Sequence, residues 1–248
     1  MKTVYILWLR QIKRYFRSRA RIVGSLGQPI LFLVALGFGF GPIFQKAGGG
    51  NYINFLAPGV IGMSILFTSV FTGIEVIWDR QFGFLKETLV APVSRFKIMA
   101  GRTFGGATVA LFQGIIVLLI SMVIGFRPIG FGMVLIAVIF MFITAVLFTA
   151  LGTAIASVLE DMQGFQLIIN FLIQPIFFLS GALFPVNGLP QAIVDIVRID
   201  PLSYSVDALR ATLIGVSSFG LAFDLLILVI LTSAIFSIGS YLFSKIQI

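Results

Sequence analysis

Long stretches without a charged side chain alternate along the chain with short stretches where charges cluster, and this alternation predicts the elements. A helix rises 1.5 Å per residue, so about 20 apolar residues cross a bilayer core of roughly 30 Å. Ile22–Gln45 holds no charge between Arg21 and Lys46, and Phe55–Ile77 is interrupted only by Glu75. Thr103–Phe126 lies between Arg102 and Arg127, and the charge-free runs Pro128–Leu159, Met162–Val194 and Leu225–Ser244 follow. The runs predict an all-α, polytopic membrane protein with six transmembrane helices, at about 22–45, 55–77, 103–126, 131–157, 163–184 and 223–244. Without a visible repeat or linker, residues 1–248 read as one transmembrane domain.

Residues 1–21 follow another pattern. At 100° per residue Val4, Tyr5, Trp8, Ile12, Tyr15 and Phe16 share one face, and Arg10, Lys13, Arg14, Arg17 and Arg21 the opposite one. This predicts an amphipathic interfacial helix on the inner leaflet, its basic face toward lipid phosphates and water, with Trp8 and Trp78 at the inner interface. A plain topogenic basic tail is the alternative, although such a tail needs no aromatic face. A signal peptide fits poorly, because the apolar run starts late, is too long and lacks a small-x-small exit. On the other side, Leu189–Ile199 and Leu202–Leu213 are bracketed by Pro185, Pro190 and Pro201 and are too short to span. They predict two short re-entrant outer helices before the last span, with Asp207 and Arg210 at a spacing that allows pairing.

Composition supports a lipid-facing exterior: 59% of residues are hydrophobic and 10% charged, against roughly 25% charged in soluble domains. A net charge of +8 would suit nucleic acid in a soluble protein. Here, however, all basic residues except Lys46, Arg127, Arg198 and Arg210 fall on one side of the six spans. The positive-inside rule then places both termini in the cytoplasm of a cell (plasma or inner) membrane, with membrane lipid and no nucleic acid as partner. Neither Cys nor His occurs, so no metal site and no catalytic residue is expected, and an intramembrane enzyme is disfavoured.

Candidate chemistry sits in three places. The inner loop from Asp79 to Arg102 alternates in sign through Asp79, Arg80, Lys86, Glu87, Arg95, Lys97 and Arg102. Phe82, Leu85 and Leu89 give it one apolar stripe, and Pro92 ends it. Such a helix suits a groove on a partner, or packs on its own membrane domain. The second span carries Ser64, Thr68, Thr72 and Glu75 on one face, and the fifth Gln163, Gln166, Asn170 and Gln174 within about 80° of arc. Polar groups avoid hydrocarbon, so each stripe faces either another helix as hydrogen-bonding glue or a wet substrate path. The small residues Ala145, Thr149, Gly152, Thr153 and Ala156 predict a close-packing face on the fourth span, and Gly37 and Gly41 a weaker one on the first.

At the inner loop the chain resembles the ABC-2-type permeases, transmembrane subunits of ATP-binding-cassette exporters, above all the drug-resistance and nodulation-type permeases. The resemblance rests on Asp79–Arg80, Phe82–Gly83, Leu85–Lys86–Glu87, Ala91–Pro92 and Ser94–Arg95. It continues in Phe55-Leu-Ala-Pro-Gly59, in Asp200-Pro-Leu-Ser-Tyr204, in Val206-Asp-Ala-Leu-Arg210 and in Gly215. It implies that Asp79, Arg80, Phe82, Gly83, Leu85, Lys86, Glu87, Leu89, Pro92 and Arg95 form the element that meets an ATPase. It further implies a second permease copy or a paralogue, a central path where the second and fifth helices of two copies meet, and outer helices that close the exit.

No GxxxxGK[ST] loop occurs in the chain, so ATP and Mg are expected on a partner ABC ATPase subunit and the chain is not an enzyme by itself. The function this implies is outward movement of a drug, lipid or glycan by alternating access. The alternative is an ion- or proton-coupled secondary transporter or channel, for which Glu75 is the one clear intramembrane carboxylate.

Overall fold

The computed structural model describes residues 2–46, 50–90, 92–186 and 190–246. Ala91 of the loop pattern, Leu189 at the expected start of the first outer helix, and the Leu89 side chain lie outside the described residues.

The described residues form helices and no strand. α1 (Lys2–Arg17) precedes α2 (Arg19–Lys46), α3 (Tyr52–Phe71), α4 (Ile74–Gln81) and α5 (Phe84–Val90). α6 (Arg95–Ile124), α7 (Phe131–Val158) and α8 (Met162–Ile168) follow, and a π-helical turn at Ile169–Ile173 joins α8 to α9 (Gln174–Leu179). The short α10 (Gln191–Ile199) and α11 (Pro201–Ile214) come before α12 (Leu221–Ser244). Six of these units are long and apolar enough to cross a membrane: α2, α3–α4, α6, α7, α8–α9 and α12.

Two boundaries differ from the charge pattern. The third span begins at Arg95 rather than Thr103, because Arg102 is buried against Asp79 and no longer marks a water-facing loop. The fifth ends at Leu179 rather than near 184, where Ser180 and Gly181 turn the chain back.

The small-residue face of α7 is buried as its composition predicts. A Cβ on Gly73, in the break between α3 and α4, would collide with the Gly152 carbonyl, and one on Gly152 would lie 2.5 Å from the Val70 carbonyl oxygen. The two backbones therefore touch, which only glycine permits. On α2, Gly37 packs on Ile53, whereas Gly41 has nothing within 4 Å of its Cβ position, so these two do not form one packing face.

The end of the bundle that carries α10 and α11 is tied shut. Tyr52 donates to the Leu183 carbonyl at 3.0 Å. Arg210 donates to the carbonyls of Gly181 (2.8 Å) and Ala182 (3.1 Å), its guanidinium 3.9 Å from the Phe55 ring centroid. The expected Asp207–Arg210 pair does not form. Asp207 instead accepts from the Ser217 hydroxyl and from the Ser218 and Phe219 amides, fixing the turn before α12. Nearly all of α11 is buried among α3, α7 and α12, while α10 stays largely exposed.

A cavity beside an arginine–carboxylate network

At the opposite end, α1 does not present its whole basic face to lipid. It runs along α6, with Leu7 against Gly101 and Gln11 against Gly105. Trp8 donates to Thr108 at 2.9 Å and the buried Tyr15 to Gln113 at 2.6 Å. Burial pushes the Tyr15 phenol above its ordinary range, opposed by a hydrogen bond with Ser25 and by the charge of Arg21, so the hydroxyl remains a donor.

Glu75 and Asp79 stand one turn apart on α4, as Arg10 and Arg14 do on α1, and the two pairs meet. Arg10 reaches Asp79 at 3.2 Å, and Arg14 reaches Glu75 at 3.5 Å and Asp79 at 3.8 Å. Arg21, at the start of α2, pairs with Glu75 at 2.7 Å, and Arg102 of α6 closes on Asp79 from the buried side. The sequence expectation of a wholly lipid-facing basic row is thus corrected for Arg10, Arg14 and Arg21: each pairs with a carboxylate of the same chain. A basic stripe has the same periodicity in either case. Lys13 and Arg17 of that row are exposed, as are Tyr5, Ile6 and Phe16.

Next to this network lies a half-open cavity of about 460 Å³ bounded by α1, α2, α3, α4 and α6. Ser64, Thr68, Thr72 and Glu75 all line it, so the second-span stripe faces one space. Thr72 donates back to the Ser69 carbonyl, and the buried Ser64 hydroxyl has no partner among the described residues. Gln11, Tyr15, Arg21, Ser25 and Gln28 also line it. Sequence reasoning did not place them there; the missed signal was the matching one-turn spacing of two carboxylates and two arginines.

The fifth-span stripe goes elsewhere. Gln163, Gln166, Asn170 and Gln174 are exposed on α8–α9, Gln166 donating to Asn170 at 3.3 Å, and none lines the cavity. Within one chain the two stripes do not converge.

The inner loop divides into a structural part and an open part. Arg80 donates to the carbonyls of Leu159 (2.9 Å) and Ser157 (3.1 Å) at the end of α7, and Arg95 to those of Ser244 (2.6 Å) and Ile246 (2.8 Å) at the end of α12. Both guanidiniums satisfy terminal helix carbonyls. The expected single apolar stripe does not hold. Leu85 is buried, while Phe82 precedes the helix at a turn where Gly83 has φ +77° and is 84% exposed. Lys86, Glu87 and Pro92 are exposed, and Arg10 lies 3.9 Å over the Phe84 ring, linking α5 directly to α1.

Residues 2–214 match the family described as ABC-2 type transporter. The chain belongs to that family. Nodulation protein J of Rhizobium leguminosarum bv. viciae is 29% identical over 212 residues, covering 84% of this chain and 81% of the relative. Transport permease ycf38 of Cyanophora paradoxa is 27% identical over 217 residues, covering 85% and 73%. The protein from Porphyra purpurea with that same name is 28% identical over 207 residues, covering 81% and 70%. Together with the six membrane-crossing helices, these matches make this ABC-2 chain a multi-pass membrane transport permease.

Proposed function

We propose that this permease is the membrane-spanning subunit of an ABC exporter, driven by a separate ATP-binding subunit that docks on α5. The observation that carries this reading is the pairing of an exposed α5 surface with a rigid link behind it. Phe82, Lys86 and Glu87 face outward, and Arg10, Glu75 and Asp79 join α5 and α4 to α1, α2 and α6. Closure of an ATP-bound ATPase dimer would push α5, and the network would pass that push to the walls of the cavity. Mg-ATP belongs to the partner. The α5 end, with α1 and the end of α12 beside it, faces the cytoplasm of a cell membrane. The cavity at that end and the tied outer end support an inward-facing arrangement. A second copy or a paralogous permease covers the exposed amides of α8–α9, which hydrocarbon would leave unsatisfied. The cargo is an amphiphile of the drug, lipid or glycan kind.

Proton coupling through Glu75 is less well supported, because Arg14 and Arg21 hold that carboxylate in ion pairs. The test uses the permease with its ATPase in vesicles, scored for ATP hydrolysis and for ATP-dependent movement of a fluorescent amphiphile. Glu87→Arg with Phe82→Ala should leave hydrolysis running while movement falls at least about tenfold, the loss expected of a broken interface anchor. Arg80 is unsuited to this test because it caps α7. Movement at the unaltered rate in the double variant would sink the assignment.

A further inference from the structure

The arginine network leaves a charge imbalance that the chain does not resolve. Four guanidiniums, those of Arg10, Arg14, Arg21 and Arg102, converge on only two carboxylates, Glu75 and Asp79. Glu75 is the one acidic residue in the cavity lining. Its side chain is 5% exposed and is engaged by Arg14 and Arg21, so it offers little to a cationic ligand. Arg21 is different. It lines the cavity with its side chain 37% exposed, and only one of its nitrogens, Nη1, reaches Glu75. Its remaining N–H donors have no acceptor among the described residues.

The cavity around this cation is amphipathic. Met63, Phe67 and Phe71 supply an apolar wall, and Ser64 and Thr68 add hydroxyls deeper in. The exposed Gly24 and Gln28 of α2 and Phe71 of α3 mark a mouth between two spanning helices, in the half of the bundle nearest α5. Such a mouth opens to the acyl region of the adjoining leaflet. A surplus positive charge beside low-dielectric walls attracts an anion, and the guanidinium fork matches phosphate and carboxylate oxygens.

We propose that this cavity binds the anionic headgroup of an amphiphile drawn from the inner leaflet, with Arg21 as the charge-selecting contact and Met63, Phe67 and Phe71 against the start of its chain. The inference rests on the transport reading, whose cargo class it narrows. The volume lies in the range of small-molecule sites, so it takes a headgroup and the first part of a chain rather than a whole lipid.

The chain has two tryptophans, and Trp78 lines the cavity while Trp8 sits against Thr108 outside it. Trp8→Phe therefore leaves one reporter at the site. The permease carrying W8F is reconstituted in phosphatidylcholine vesicles with a small fraction of lipid bearing brominated chains, either phosphatidylglycerol or phosphatidylcholine. Bromine quenches an indole only near contact. Brominated phosphatidylglycerol should quench Trp78 at about tenfold lower mole fraction than brominated phosphatidylcholine, the ratio that ~1.4 kcal/mol of pairing yields. Added Arg21→Gln should abolish that preference while leaving quenching by phosphatidylcholine unchanged. Arg21→Lys should retain part of it and make it fall with ionic strength, which keeps the test informative if Arg21→Gln does not fold.

Equal quenching by the two headgroups in W8F, or a preference that survives Arg21→Gln, would overturn the proposal. Reversal by inorganic phosphate would overturn it in favour of a free-anion site. No ATPase is present in the assay, so lost transport and lost headgroup selection are read separately.

Discussion

Asp79 is the single residue on which the α5 end of the bundle most depends. Among the described residues it is the one carboxylate in an ion pair with Arg102, whose side chain is 4% exposed, and it also holds Arg10 and Arg14. Asp79→Asn leaves the Arg102 charge buried without a counterion, a loss of about 3–5 kcal/mol. Glu75→Gln should cost about 1 kcal/mol, because its partners Arg14 and Arg21 are a third exposed and water screens them. Thermal unfolding in detergent distinguishes the two; equal shifts would refute the burial argument. At the opposite end Asp200 caps α11 through the Leu202 amide at 2.8 Å, and its other oxygen has no partner among the described residues. Burial raises this carboxyl from its ordinary 3.8 to about 7, against the hydrogen bond from the Leu202 amide. The folded state then binds the proton more tightly than the unfolded chain does. Its contribution to stability is full below 3.8 and is lost as pH rises through about 7. Asp200→Asn keeps a capping oxygen and should flatten the decline in melting temperature between pH 4 and 8. A decline of unchanged slope would exclude Asp200 as its source.

At the scale of elements, helical periodicity located faces well but not what each face meets. Every residue of the second-span stripe lines the cavity, because a hydroxyl and carboxylate row at helical spacing has no stable place in lipid. The fifth-span row shares one face just as clearly, yet that face is exposed in the chain. Spacing carries no information about which neighbour lies opposite. The basic stripe of α1 misled for the same reason. The small face of α7 was legible because only close helix contact explains it. Gly152→Ala should destabilise by about 2 kcal/mol or more, since the added methyl meets the α3 backbone and not a yielding side chain. Gly41→Ala, in open space on α2, should instead be neutral or stabilising by up to about 1 kcal/mol. Urea or thermal unfolding of the pair in one detergent checks the ranking, and the reverse order would contradict the packing.

For the whole molecule, the number of membrane-crossing helices was readable because lipid forces charge-free runs onto any helix that spans it, and the family through the resemblance of the Asp79–Arg95, Phe55–Gly59 and Asp200–Gly215 motifs. The starts of α1 and α6 were not readable as contacts, because ion pairs between distant segments hide charges that otherwise mark boundaries. Labour divides at the α5 end: Arg80 and Arg95 hold helix ends, whereas Phe82, Lys86 and Glu87 are exposed, the surface proposed above for the ATP-binding subunit. The most direct measurement is co-purification of the permease with the ATP-binding subunit, comparing wild type with Phe82→Ala/Glu87→Arg in the same detergent at equal folded yield. Docking on the α5 surface predicts a stoichiometric complex for wild type and at least about tenfold weaker association for the double variant. A double variant that holds the ATPase as tightly as wild type would contradict it.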